Sequence, residues 1–333
     1  MKRLKILLLC FVLIILPGCR KETESYSKTE LLMDTVVTIK IYGGSGQVLE
    51  EAFDLCRDYE KLFSRTIEDS EISRINNSGG EPQTVSRDTA ELILKGIYYG
   101  QLSNGRFDIT IYPASSLWDF TSQEKHIPAP EELEEAVKHI DYRKVKVEGG
   151  TVTVPEGTKL DLGGIAKGYI ADKVAEFLRS KGVGSAIINL GGNVYALGTK
   201  PDGSKFSVGI QKPFDKTGNY CALLYVQDKT VVTSGTYQRY IKTEDALYHH
   251  ILDPATGMPV QNELDSVTII AERSADADAL STVCFVLGID EGLELIETIP
   301  NTEAVFITKG GELVTTSGLE RTEREGNLVL NLK

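Results

Sequence analysis

"RKVKVEGGTVTVPEGTKLDLGGIAKGYIADKVAEFLRSKG" (Arg143–Gly182) shows how this chain builds structure. Its first part reads as a hairpin turning at Gly149-Gly150. Two adjacent glycines between β-branched runs make a tight turn, so the strands are antiparallel neighbours. The second part reads as strand, glycine-rich loop and helix.

The same habit recurs on both sides. "MDTVVTIKIY" (Met33–Tyr42) reads as a strand, and Ser45–Ser64 carries apolar residues at helical spacing. A second helix is predicted from near Ser86 to Asn104-Gly105, and a short acidic one from Pro130. A strand carrying Asp108 is predicted within "NGRFDITIYPASSLW" (Asn104–Trp118). Beyond Gly182 the chain is strand-rich to Arg273, with helices at Ser274–Leu287 and after Asp290, and a final hairpin at Gly310-Gly311. Strands mostly follow one another through turns, with few crossover helices. The pattern predicts an α+β fold of largely antiparallel sheets with flanking helices.

The first residues speak of place. Lys2, Arg3 and Lys5 precede an apolar run from Ile6 to Leu16, too short for a comfortable membrane span. The run ends in Leu16-Pro17-Gly18-Cys19, which resembles a bacterial lipobox. We therefore expect residues 1–18 to be a signal peptide, Cys19 to be lipidated, residues 19–30 to be a polar tether and residues 31–333 to be one domain. The protein is then extracytoplasmic and lipid-anchored to the cell membrane. The net charge of −12 argues against nucleic acid as a partner. Cys56, Cys221 and Cys284 have no paired spacing and read as buried thiols.

Four motifs can carry chemistry. In "DLGGIAKG" (Asp161–Gly168), paired glycines let backbone approach a ligand, a helix start favours negative charge, and Lys167 adds a cation. It lacks P-loop spacing, and a plain tight turn explains it equally well. In "SADADALST" (Ser274–Thr282), Asp278 and Thr282 share one helix face, which is oxygen-only ligation suited to Mg²⁺ or Ca²⁺. Taken alone, the blander reading is stronger there: Ser274 as cap and acidic residues at the positive helix end. "NLGGN" (Asn189–Asn193) is a second paired-glycine turn. "YHHILDPATGMP" (Tyr248–Pro259) holds two of the chain's four histidines side by side. Together these suggest metal-assisted chemistry on a phosphate ester or anhydride, with histidine moving the proton.

The combination resembles the ApbE family of FAD:protein FMN transferases. The stretches that carry the likeness stand in family order: "MDT" (Met33), "FSRTIEDSEISRIN" (Phe63), "GRFD" (Gly105), "DLGGIAKGY" (Asp161), "NLGGN" (Asn189), "SGTYQRY" (Ser234), "HHILDPATGMP" (His249) and "SVTIIAERSADADALSTVCFVLG" (Ser266). The resemblance implies an ApbE-like, T-fold-like catalytic domain that moves the FMN half of FAD onto a Thr or Ser hydroxyl of an acceptor protein and releases AMP. Implied acceptors include membrane redox-pump subunits. Implied metal ligands for Mg²⁺ are the Gly164 carbonyl, Asp278 and Thr282. Implied FAD contacts are Met33, Thr66, Arg106, Phe107, Asp108, Asp161, Lys167 and Leu252. Thr66 stands where many members carry an aromatic residue, and Ser281 where some carry an acidic ligand. His250 aligns with the family's histidine and is expected to take the acceptor's proton near the usual imidazole value of about 6.5, with His249 facing away. Two other activities fit the same residues: hydrolysis of FAD to FMN and AMP, and flavin binding without turnover.

Overall fold

The computed structural model describes residues 23–120, 126–216 and 218–333. The expected signal peptide and Cys19 lie outside them. The first hairpin is β1 (Ser25–Leu32) and β2 (Thr35–Tyr42). Then come α1 (Gly46–Phe63), α2 (Glu71–Asn76), β3 (Gln83–Thr84), α3 (Arg87–Leu102), α4 (Tyr112–Ser115) and α5 (Pro130–Val137). The hairpin β4 (Lys146–Glu148) and β5 (Thr151–Thr153) precedes α6 (Ala166–Ser180). Strands β6 (Ala186–Leu190), β7 (Asn193–Leu197), β8 (Phe206–Gln211), β9 (Tyr220–Val226) and β10 (Lys229–Gly235) run on to β11 (Tyr240–Lys242), β12 (Leu247–His249) and β13 (Leu264–Ala271). Helices α7 (Ser274–Leu287) and α8 (Ile289–Glu297) lead to β14 (Glu303–Thr308), β15 (Leu313–Thr315), β16 (Leu319–Arg324) and β17 (Asn327–Leu332).

The expected α+β architecture is what forms. An eight-stranded sheet runs β1-β2-β6-β7-β10-β13-β14-β15 with every pairing antiparallel. Helices cover one face and the sheet β16-β17-β9-β8 covers the other. Strand β13 shows why. Val267, Ile269 and Ala271 enter the helix-side core, while Ile270 enters the core between the sheets. A strand covered on both faces needs a near-continuous apolar run, and "VTIIA" supplies it, with the buried Thr268 hydroxyl bonded to Thr233.

Several expectations are corrected. The tether was expected to run to Glu30, yet β1 begins at Ser25. Its inward side chains include Lys28, whose ammonium lies 5.0 Å from the Phe53 ring centre, and Glu30, paired to Arg57 at 2.5 Å. Polar heads on this face hide the apolar alternation that marks a strand. Met33 does not open β2: Met33 and Asp34 both have φ of 54° and form the two-residue turn of the hairpin. No strand carries Asp108 or precedes Asp161; only a parallel bridge, Ile111 to Lys159, joins these segments. Ser274 does not cap α7: its side chain makes no cap bond, and its amide donates to Asp172. The last hairpin is β16–β17, which follows the one turning at Gly310-Gly311. Among the described residues Cys56, Cys221 and Cys284 are free, with Cys221 only half-buried. No helix there is long and apolar enough to cross a membrane.

Candidate active site

The site grows from the way α6 meets α7. Gly168, in the first turn of α6, lies so close to α7 that a Cβ would stand 2.2 Å from the Ser274 carbonyl oxygen. Neither helix has a side-chain cap of its own. Each takes one from the other. Asp172 on α6 accepts from the Ser274 and Ala275 amides at 2.8 and 3.0 Å, and Asp278 on α7 accepts from the Gly168 amide at 2.9 Å. These exchanged carboxylates answer the unsatisfied amides and positive ends of both helices. Burial pushes the Asp172 carboxyl up, against the pull of the two amides. Asp276 turns instead to Lys95 and the Tyr99 hydroxyl.

Asp278 keeps its other oxygen for the cleft. Lys167 Nζ lies 4.0 Å from Asp278 Oδ1 and donates to the Gly163 carbonyl at 3.1 Å. One turn along α7, Thr282 Oγ1 is 3.2 Å from Ser234 Oγ at the end of β10. A Cβ on Gly164 would stand 3.8 Å from Thr282 Oγ1 and 3.0 Å from Phe107, so the Gly164 backbone is drawn up beside the threonine. One carboxylate oxygen, a hydroxyl and a nearby carbonyl are all hard donors, and they fit a dication such as Mg²⁺. Ser281 does not join them. It is fully buried, donates to the Asp278 carbonyl at 2.8 Å and sits 2.7 Å from Ser234 Oγ.

The loop before α6 is braced from two sides. Asp161 accepts from the Gly163 amide at 2.9 Å and from Ser115 Oγ at 3.2 Å, and Arg65 approaches it at 3.4 Å. The Arg65 guanidinium lies 4.9 Å from the Tyr112 ring centre. Beside it, Thr66 is exposed and bonds with Ser64 at 3.1 Å. Arg106 is exposed and reaches Asp253 at 3.7 Å. Phe107 is buried against Gly164. Asp108 is spoken for: Thr110 donates twice to it, at 2.8 and 2.6 Å, and the Tyr142 amide once, at 3.0 Å. Burial still raises its carboxyl above the usual range. The side chain of Asp108 therefore braces its own loop.

The histidines part company as expected. His249 is buried, donates from Nε2 to the Val260 carbonyl at 2.9 Å and accepts at Nδ1 from the Ile251 amide at 3.3 Å. Both ring nitrogens suit the neutral form, and burial holds this imidazole down at about 4. His250 is half-buried, and its Nδ1 lies 3.3 Å from the Arg239 carbonyl. A carbonyl can only accept, so Nδ1 carries the hydrogen and Nε2 keeps a lone pair. Desolvation first, then His249, with Arg239 and Lys167 also contributing, lower His250 to about 4. The shift is downward from the expected 6.5, which favours the neutral ring in the neutral range. Arg239 also donates to the Asp34 carbonyl at 3.0 Å, tying the Met33-Asp34 turn to this corner. The Met33 amide donates to Glu60 at 2.6 Å. Gly191 packs on Thr35, where a Cβ would stand 2.2 Å from Oγ1. After His250, Asp253 opens the expected turn, its carbonyl accepting from Gly257 at 2.8 Å, while Trp118 donates to the Gly257 carbonyl at 2.9 Å. Leu252 is buried in the small core around Trp118.

Sequence reading missed Arg65 and Ser234. Arg65 stood one place from Thr66 without a partner in view, and Ser234 becomes significant only when β10 is laid under α7. Two recesses lie apart from the Lys167–Asp278 cluster. One is bounded by Lys95, Tyr98 and Asp276, the other by Leu102, Arg106 and Glu291.

Known proteins share this architecture. The ApbE family profile matches residues 33–306. The FAD:protein FMN transferase of Treponema pallidum is 34% identical over 324 residues, covering 91% of this chain and 90% of its own. That of Klebsiella pneumoniae is 34% identical over 300 residues, covering 89% and 93%. Among solved structures, the ApbE protein of Thermotoga maritima superposes with a TM-score of 0.81 at 31% identity, over 88% of this chain and 97% of its own. The flavin transferase ApbE of Vibrio cholerae does so at 0.79 and 27%, over 89% and 98%.

Proposed function

The chain belongs to the ApbE family, and on that premise we propose how its own residues carry out the family's reaction. It is a transferase that moves FMN from FAD to an acceptor protein. The observation that carries our reading is the position of Lys167, bonded to the Gly163 carbonyl and 4.0 Å from Asp278. It joins the glycine loop to the hard-oxygen donors of α7.

In this reading the pyrophosphate of FAD lies along the Gly163-Gly164 loop, where Lys167 offsets its charge. The Gly164 carbonyl, Asp278 and Thr282 would hold Mg²⁺, with Ser234 steadying the threonine. A dication held by these residues would supply charge neutralisation for the anhydride oxygens and so favour departure of AMP. Met33, the Arg106-Phe107-Asp108 run, Asp161, Lys167 and Leu252 line the FAD side, with Arg65 in place of a stacking residue at Thr66. His250 Nε2 accepts the proton of the acceptor's Thr or Ser hydroxyl. The hydroxyl oxygen forms a bond to the FMN phosphorus, the bond from that phosphorus to the bridging oxygen breaks, and AMP leaves with the electron pair. Positioning and charge neutralisation dominate, since little covalent work falls to the protein.

Lipidation of Cys19 and an extracytoplasmic, membrane-anchored location complete the proposal, with a membrane redox-pump subunit as acceptor. The decisive experiment incubates the chain with FAD, Mg²⁺ and such an acceptor. One AMP released per flavin fixed to the protein band is expected. AMP with free FMN alone would make it a hydrolase, and no AMP would make it a flavin binder.

A further inference from the structure

We propose that Phe214, Tyr237 and Tyr240 form the surface on which the acceptor protein docks, seating its hydroxyl-bearing segment beside His250. The inference rests on the transferase reading and names the partner's foothold. Phe214 is 50% exposed on the loop between β8 and β9. Its ring meets Tyr237 edge-on at 6.0 Å and Tyr240 at 5.8 Å. Tyr240 is itself 39% exposed. Tyr237 is half-buried. Two exposed rings set on a third are costly in water and are what interface centres are made of, since each ring offers a large rigid contact at little entropic cost.

Its place gives the cluster a purpose. Tyr240 is the cross-strand partner of His249 in the β11–β12 pair. The carbonyl of Arg239, one residue earlier, holds both the backbone amide of His250, at 3.2 Å, and its Nδ1, at 3.3 Å. The aromatic surface and the base therefore share one peptide unit. A protein gripped by these rings is fixed relative to Nε2, and positioning of that kind is where much of the rate of a two-substrate reaction arises. Charge agrees. In a chain of net charge −12, this corner exposes Lys212, Lys216, Arg239 and Lys242 against Glu244 and Asp245, with a half-buried Asp215 paired to Lys212 at 3.5 Å. An acidic acceptor face is not repelled here as it would be over the rest of the molecule.

The test uses the full chain with FAD and Mg²⁺. The probe is the soluble domain of a membrane redox-pump subunit with one flavin-accepting threonine, and its threonine-to-alanine form is used for binding. Phe214→Ala combined with Tyr240→Ala should lower kcat/KM for the acceptor at least about tenfold, mainly through KM. FAD affinity, read by flavin fluorescence, should stay within about twofold. Phe214→Leu should recover part of the loss. Unchanged kcat/KM in the double variant overturns the proposal. A parallel loss of FAD affinity also overturns it, because the rings would then belong to the flavin site. Should the native chain release AMP yet flavinylate nothing, the transferase reading fails on its own. Docking is then decided by binding of the alanine form: weaker binding to the double variant supports it, and equal or undetectable binding to both chains overturns it.

Discussion

At the scale of single residues, the two neighbouring histidines are set to different work by their hydrogen bonds. His250→Ala should lower transfer by about 10²–10⁴-fold with little change in FAD affinity, as expected for loss of a positioned base. Because the ring is held at about 4, kcat/KM should be flat from pH 6 to 8 and should fall only as pH drops toward 4. A pH–rate profile with an acid limb at 6.5 would contradict this. His249 speaks through stability. Its folded value of about 4 lies below the free value of 6.5, so the unfolded chain binds the proton first. Its contribution is whole above pH 6.5, is lost as pH falls from 6.5 toward 4, and changes no further below that. The loss amounts to roughly 3 kcal/mol at most. Urea titrations across that window should show a steeper slope in the native chain than in His249→Gln, which keeps the part that His250 contributes. Asp278→Asn keeps an oxygen for the Gly168 amide but removes the charge. It should stay folded while losing Mg²⁺-dependent turnover; full activity at limiting Mg²⁺ would refute the metal assignment.

At the scale of elements, the exchange of caps between α6 and α7 makes the cleft a property of two helices. Asp172→Ala should free two buried amides and cost about 1–3 kcal/mol, and Gly168→Ala should force α7 away by overpacking at similar cost. Both are readable as lower melting temperatures, and both should weaken Mg²⁺ dependence because Asp278 moves with α7. A variant that melts lower yet keeps its Mg²⁺ affinity would separate packing from site geometry. This also marks where sequence reading stops. Helix starts at Ser45 and Ser86 and the turn at Gly149-Gly150 were legible because their signals lie within a few residues. The span Ser274–Leu287 was legible too, but Ser274 looked like its cap because the true cap, Asp172, is far away in sequence. β1 was hidden by Lys28 and Glu30 on its inner face. Asp108 was read within a strand because nothing in the sequence shows that Thr110 and Tyr142 bond to its carboxylate and hold the segment as a loop.

At the scale of the whole molecule, the corrected start of β1 limits where the cleft can work. If lipid is carried on Cys19, as we propose, only Arg20–Glu24 separate it from Ser25. Five extended residues span at most about 17 Å. The eight residues of β1 then lead to the Met33-Asp34 turn, a rise of about 27 Å. That turn is tied through Arg239 to the His250 corner. The turn therefore stands within about 45 Å of the anchor, whatever the tilt of the domain. A tether running to Glu30 would have given a flexible leash, whereas a strand paired along its length to β2 gives a rigid arm. Acceptors displayed on membrane-anchored helical stalks test this, since such stalks rise about 1.5 Å per residue. Transfer should be efficient while the threonine lies within that height and should collapse beyond it. Inserting twenty Gly/Ser residues after Cys19 should restore transfer to the taller stalks. Equal rates at every stalk height with the native chain would show that no short arm holds the enzyme to the membrane.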